Sequence, residues 1–302
     1  MKINNEMEIK MKFEGIMPAL ITPLNDDESV RVEAIKPLID YLCEKGADGF
    51  YVGGATGEGL ALKTEERMIL AEEAKKAIGG RVPMIVQVAA GDYNDAILLA
   101  KHAESIGADA ISATPPMFFQ YDKDDVYNYY KRLAESVHIP MMAYYNPSTG
   151  FNFDAKYAAR LFEIENVTAI KWTSSNYYEM IKLKDITHGE MNILNGPDEM
   201  LLMGLNAGAD GGIGSTYNYM LDYIKSVYNC FKSGDIEGAK SWQMMVDRII
   251  NVLLNYKVVP ASKVVLEEMG FKVGNATFPM TRYTDAEKAK MISEFREAGL
   301  PI

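Results

Sequence analysis

Lys171 is the only lysine inside any stretch that reads as a core strand, and it interrupts the β-branched, apolar run Val167-Thr168-Ala169-Ile170-Lys171-Trp172-Thr173. Desolvation disfavours the charged form of an amine. A neutral amine is a nucleophile that condenses with a ketone to form a Schiff base. The competing reading is a strand-end lysine whose stem covers apolar surface while its head reaches water. Other strand ends carry residues that bear on the choice. Tyr144 opens Tyr144-Tyr145-Asn146-Pro147, and a phenol beside a Schiff-base lysine can shuttle protons to a carbinolamine. Strand tyrosines also serve simply as packing. The turn Gly53-Gly54-Ala55-Thr56-Gly57-Glu58-Gly59 has the glycines to turn backbone N–H groups toward a carboxylate or phosphate, with Thr56 adding a hydroxyl. It could equally be a tight structural turn. Asn195-Gly196-Pro197-Asp198-Glu199 places two carboxylates where sugar hydroxyls could donate to them. The same pair would also suit a helix N-terminus. Gly211-Gly212-Ile213-Gly214-Ser215-Thr216 offers another close-approach loop with hydroxyls.

Something must bring these segments together, and the pattern of the chain says what. Short apolar strands are expected at residues 16–22, 49–53, 84–89, 110–114, 141–145, 168–172, 192–195 and 211–215. Amphipathic helices follow them, for example over 64–78, 92–106 and 123–136. In the second of these, Ile97, Ala100 and His102–Ala103 fall near one face. The spacing is that of βα units whose parallel strands need a crossover helix. Eight units make an α/β fold, a (β/α)8 TIM barrel, whose active site lies at the C-terminal ends of the strands. An open doubly wound sheet is the alternative. It would usually carry a glycine-rich dinucleotide loop after the first strand, where this chain has Pro18-Ala19-Leu20-Ile21-Thr22-Pro23. After about residue 233 the alternation stops, and helices are expected over 235–256, 261–269 and 284–298, separated by 257–260 and 270–281. The expected organisation is an N-terminal extension (1–12), a barrel catalytic domain (13–233) and a C-terminal helical extension (234–302).

At 302 residues, 48% hydrophobic and 24% charged, the chain suits a globular protein with a sizeable core. The net charge of −11 argues against nucleic acid or an anionic membrane surface as partner. It leaves room for an anionic substrate held by a local nest of N–H groups. Cys43 and Cys230 form no metal or redox motif, and His102, His138 and His188 show no metal-ligand spacing, so no metal is expected. There is no G-x-S-x-G elbow and no P-loop lysine. Residues 1–12 are charged, without the apolar region of a signal peptide, and no apolar run approaches membrane-spanning length. A cytoplasmic location is expected.

With these residues laid out, the chain resembles the pyruvate-dependent class I aldolase family that contains N-acetylneuraminate lyase and dihydrodipicolinate synthase. The resemblance runs from about residue 15 to 279. Its anchors are Gly54-x-Thr56-Gly57-Glu58, the Tyr144 strand, Lys171 with Thr173, and the run from Gly208 to Asn218, which resembles the lyase branch closely and the synthase branch poorly. The resemblance implies a homotetramer and a small-molecule keto or sugar acid substrate. No cofactor is implied beyond the covalent Schiff base with pyruvate. It implies Lys171 as the Schiff-base lysine and Tyr144 as the proton-transfer residue. Ala55 and Thr56 would hold the pyruvyl carboxylate, and Thr173, Gly196, Asp198, Glu199 and Ser215 would line the sugar end. The expected reaction is cleavage of N-acetylneuraminate to pyruvate and N-acetylmannosamine. The alternatives are 4-hydroxy-tetrahydrodipicolinate synthesis, cleavage of another 2-keto-3-deoxy sugar acid, or a non-catalytic barrel of the same family.

The chain departs from the family pattern at four places. Ala55 stands where Ser or Thr is usual, so one hydroxyl contact to the carboxylate is lost. Phe118 stands where many relatives carry a tyrosine that enters the neighbouring subunit's proton relay. The loop after Tyr144 lacks the arginine that synthases generally place there, which favours the lyase. Pro197 replaces an aromatic residue common in lyases.

Overall fold

The computed structural model describes residues 12–302, so nearly all of the expected N-terminal extension lies outside the described residues. Eight parallel strands form the centre: β1 (Gly15–Pro18), β2 (Phe50–Val52), β3 (Met84–Gln87), β4 (Ala110–Ala113), β5 (Met141–Tyr145), β6 (Val167–Trp172), β7 (Asn192–Asn195) and β8 (Gly211–Gly214). They pair in the order β1-β8-β7-β6-β5-β4-β3-β2. The remaining seam closes through a parallel bridge between Ala19 and Tyr51, where the Leu20 N–H donates to the Tyr51 carbonyl at 2.9 Å. This is the expected TIM barrel. Its strands are buried on both faces, which is why they read as continuous apolar runs rather than alternating ones.

The two faces form two cores. Phe13, Met17, Tyr51, Ile85, Met142, Tyr144, Ala169, Leu194 and Ile213 pack inside the barrel, and a larger apolar cluster fills the space between strands and helices. Successive strand side chains point to opposite faces. In β6, Ile170 and Trp172 therefore join the outer core, and Lys171, in step with Ala169, belongs to the inner side. At the N-terminal end Asn192 closes the barrel by exchanging hydrogen bonds with the Phe13 backbone, both at 2.8 Å.

The helices between strands are α1 (Val32–Glu44), α2 (Thr64–Ile78), α3 (Tyr93–Ser105), α4 (Lys123–Ala134), α5 (Ala155–Phe162), α6 (Tyr177–Ile186), α7 (Leu201–Asn206) and α8 (Tyr217–Ser233). Several starts are set by side-chain caps, as at Asp92, Asp122, Asp154 and Asn176, each accepting from an N–H of the first turn. The buried stripe of α3 is Ala96, Leu99, Ala100 and Ala103. That is rotated from the expected face, because His102 sits at its edge with Nε2 2.9 Å from Glu72 Oε1.

Beyond the barrel come α9 (Ile236–Leu253), α10 (Val258–Glu268) and α11 (Asp285–Glu297). Helix α10 starts three residues before its expected beginning and carries Pro260 in its first turn. A missing N–H has no intrahelical partner to lose there. Among the described residues no single helix is long and apolar enough to cross a membrane.

Candidate active site

The register of the sheet sets Tyr144 of β5 directly beside Lys171 of β6. Both are buried, at 5% and 6% exposure. The Lys171 Nζ lies 4.4 Å from the centre of the Tyr144 ring and 4.7 Å from that of Tyr51, which reaches in from β2. The two rings meet edge to face, with centroids 6.1 Å apart. Their phenols differ in character. Burial pushes the Tyr144 hydroxyl up, but the Lys171 charge, with Asn146 and Thr173 beside it, outweighs burial and holds its pKa below the ordinary value. Tyr51 is driven well above the ordinary value by burial and then by Tyr144, and its hydroxyl donates to Ser112 Oγ at 3.0 Å. The two neighbouring phenols are thus pushed in opposite directions.

The turn after β2 lies at the same end of the barrel. Thr56 is buried and Ala55 exposed. Among the described residues the N–H groups of Ala55 and Thr56 have no acceptor within the protein, so both can receive a ligand oxygen. The turn is drawn tight by bonds from Gly59 N–H to the Gly54 carbonyl at 3.1 Å and from Thr22 Oγ1 to the Gly57 carbonyl at 2.6 Å. A Cβ on Gly59 would overlap the Gly53 carbonyl. The glycine is thus a steric requirement of the turn. The result is a pair of free donors at the same end of the barrel as the Lys171 amine, an arrangement that can orient an α-keto acid for attack at its ketone.

The ends of β6, β7 and β8 make the third side. Thr173 N–H bonds the Tyr145 carbonyl at 2.8 Å, and Gly196 N–H bonds the Trp172 carbonyl at 2.8 Å. A side chain on Gly196 would collide with the Thr173 hydroxyl. Asp198 Oδ2 accepts from Thr216 N–H at 2.9 Å, from Thr216 Oγ1 at 2.7 Å and, at 3.5 Å, from Ser215 Oγ. Burial pushes the Asp198 carboxyl up to about 6, opposed by the two Thr216 bonds and by Lys171, and reinforced by Glu199. Glu199 itself is exposed. The adjacent carboxylates therefore divide, one holding the β8 loop and the other facing solvent.

The profile of the Dihydrodipicolinate synthetase family matches residues 12–298. The chain belongs to the dihydrodipicolinate synthetase family. An N-acetylneuraminate lyase from Rhizobium meliloti is 35% identical over 292 residues, covering 97% of this chain and 96% of the relative. Among solved structures, the Proteus mirabilis N-acetylneuraminate lyase superposes with a TM-score of 0.92 at 31% identity, covering 96% of this chain and 100% of that one. A Clostridium difficile protein solved in complex with mannosamine gives a TM-score of 0.92 at 29% identity, covering 95% and 100%.

In this member of the dihydrodipicolinate synthetase family, three supports of the site were given no role from sequence. Tyr51 shares the inward parity of its strand, a signal that alternation along β2 carries. Asn218 accepts from Ile21 N–H at 3.1 Å and donates to the carbonyls of Ala19 and Ser215 at 2.7 and 2.8 Å, tying the β8 loop to the end of β1. Gln243 of α9 accepts from Leu202 N–H at 3.0 Å and donates to the Asp198 carbonyl at 3.2 Å. Phe118 is 95% exposed at φ +83°, outside the group around Lys171. A cavity of about 660 Å³ lies between α10 and α11, with neither Lys171 nor Tyr144 in its lining.

Proposed function

We propose that this chain is a Schiff-base aldolase that cleaves N-acetylneuraminate to pyruvate and N-acetylmannosamine. The observation that carries the reading is a buried lysine amine set beside a phenol of lowered pKa at the C-terminal end of a TIM barrel. The names of the relatives supply the substrate class.

In this mechanism the open-chain sugar acid lays its carboxylate against the N–H groups of Ala55 and Thr56. The Lys171 amine, once it has given up its proton, attacks the C2 ketone, and the carbinolamine loses water with proton transfer through Tyr144. The C4 hydroxyl gives up its proton to the Tyr144 phenolate. As the C4 aldehyde forms, the C3–C4 electron pair flows into the iminium and leaves an enamine. N-acetylmannosamine departs. Protonation of the enamine at C3 and hydrolysis of the iminium release pyruvate and restore Lys171. The iminium is the electron sink, so no metal or organic cofactor is called for.

Thr173, Gly196, Asp198 and Ser215 shape the sugar end, with Glu199 at its exposed edge. Synthase activity is disfavoured by the loop after Tyr145, a short 3-10 turn (Pro147–Thr149) ending in Gly150, with no arginine to clamp a second carboxylate. Pro197 favours keeping other 2-keto-3-deoxy sugar acids as the second reading, because it takes the place of an aromatic residue in the sugar pocket. A homotetramer and a cytoplasmic location complete the proposal, on family resemblance and composition.

The test is incubation with N-acetylneuraminate, following pyruvate, and then reduction with borohydride. Pyruvate release together with a reduced pyruvyl adduct on the Lys171 peptide is the expected result. An adduct from pyruvate with no cleavage of the sugar would move the acceptor to another aldehyde. No adduct from either compound would sink the catalytic reading.

A further inference from the structure

The turn that offers Ala55 and Thr56 is held from outside the barrel. Glu58 lies two residues past Thr56 at φ +59°, a left-handed conformation that disfavours residues with a Cβ. Its side chain is nevertheless fully buried. One carboxylate oxygen, Oε1, lies 2.7 Å from the Nζ of Lys263 on α10, and the other, Oε2, accepts from Thr277 N–H at 2.6 Å. Lys263, whose side chain is 2% exposed, also donates to the Asn275 carbonyl at 2.9 Å. The segment that supplies Asn275 and Thr277 is itself packed down, with Val273, Ala276 and Thr277 buried and Leu24 N–H bonded to the Val273 carbonyl at 2.9 Å. A buried ion pair is a weak source of net stability. It is a strong constraint on position, because neither charge can move without leaving the other unpaired in a poorly hydrated place.

We propose that Lys263 is a positioning residue for substrate: through Glu58 it sets the pitch of the Ala55–Thr56 turn and so the alignment of the substrate carboxylate. This rests on the Schiff-base reading above. Lys263 touches no reacting atom, so its removal should weaken recognition of the carboxylate and leave condensation at Lys171 intact. Two ketones separate these effects. Pyruvate carries a carboxylate, and hydroxyacetone carries none.

The experiment measures cyanoborohydride trapping on Lys171 of the whole chain against concentration of each ketone, by intact mass, for wild type and Lys263→Met. The double variant Glu58→Gln/Lys263→Met, which leaves no unpaired buried charge, stands in if Lys263→Met does not fold. The expected result is a half-saturating pyruvate concentration raised roughly tenfold, as for loss of a charge-assisted hydrogen bond. The same plateau is reached, and hydroxyacetone trapping is unchanged. Unchanged pyruvate half-saturation overturns the proposal, and so does a parallel loss with both ketones, the mark of a merely structural role. Failure of the wild type to trap either ketone instead removes the Schiff-base reading, and this proposal with it.

Discussion

Two lysines are buried among the described residues, and the protein treats them in opposite ways. Lys263 meets a carboxylate and a carbonyl, so its charge is matched on α10. Burial still draws its pKa down, with Glu58 opposing. Lys171 has two aromatic faces and, among the described residues, no carboxylate within ion-pair distance. A matched charge fixes structure. An unmatched amine is left available for chemistry, and the surrounding fold bears the cost of keeping it there.

Replacing each lysine by methionine should break the comparison most sharply. Lys171→Met should lower turnover by about 10⁴-fold or more with thermal stability equal to or above that of wild type. Lys263→Met should retain turnover at saturating substrate but lose about 3–5 kcal/mol, because Glu58 stays buried and unpaired. Initial rates and denaturant unfolding on the same samples check both. Equal destabilisation of the two variants would erase the distinction.

The two tyrosines beside Lys171 sharpen it next. Tyr144→Phe should cost roughly 10²–10⁴-fold in kcat, the range for a proton-transfer group. Tyr51→Phe keeps the ring under the amine and loses only the bond to Ser112, so a change of less than about tenfold is expected. Steady-state kinetics of the pair decide which phenol carries protons.

Asp198 supplies a third measurement. Its carboxyl is raised to about 6 from an ordinary 3.8, so the fold binds this proton more tightly than the unfolded chain does. The stabilisation is therefore fully present at pH values below the unfolded pKa and is lost as pH rises through about 6, a swing of about 3 kcal/mol. Asp198→Asn should unfold at a higher temperature than wild type near neutrality, with the gap closing toward about pH 4. A gap that does not change with pH would place the shift elsewhere. The smallest effect is at the turn. Ala55→Ser, which restores a hydroxyl at an exposed position, should lower half-saturating pyruvate by about 2- to 10-fold.

The barrel was legible in the sequence because most strands are short apolar runs and several helices carry their own caps, all local properties. Strand limits agreed to within a few residues, and Pro260 misled only because proline is tolerated in a first turn. Lys171 and Tyr144 could be singled out because a lysine and a phenol are conspicuous at strand ends. Other parts of the site were hidden. Lys263 lies in an unremarkable helical stretch, and nothing within α10 indicates that Glu58 will be its partner. Asp198 and Glu199 read as equals in the chain, yet the fold buries one against Thr216 and leaves the other in water.

The chain by itself therefore determined the alternation of strands and helices, the glycine turns and the presence of one amine among apolar neighbours. All of these depend on residue type and on spacing within a few positions. Tertiary structure decided that Tyr144 stands in register with Lys171, that Tyr51 closes over it from across the barrel, and that Lys263 of α10 pairs with Glu58 of the turn that carries Thr56. Those are pairings between distant segments, and they exist only once burial has removed the water that would otherwise satisfy each group alone.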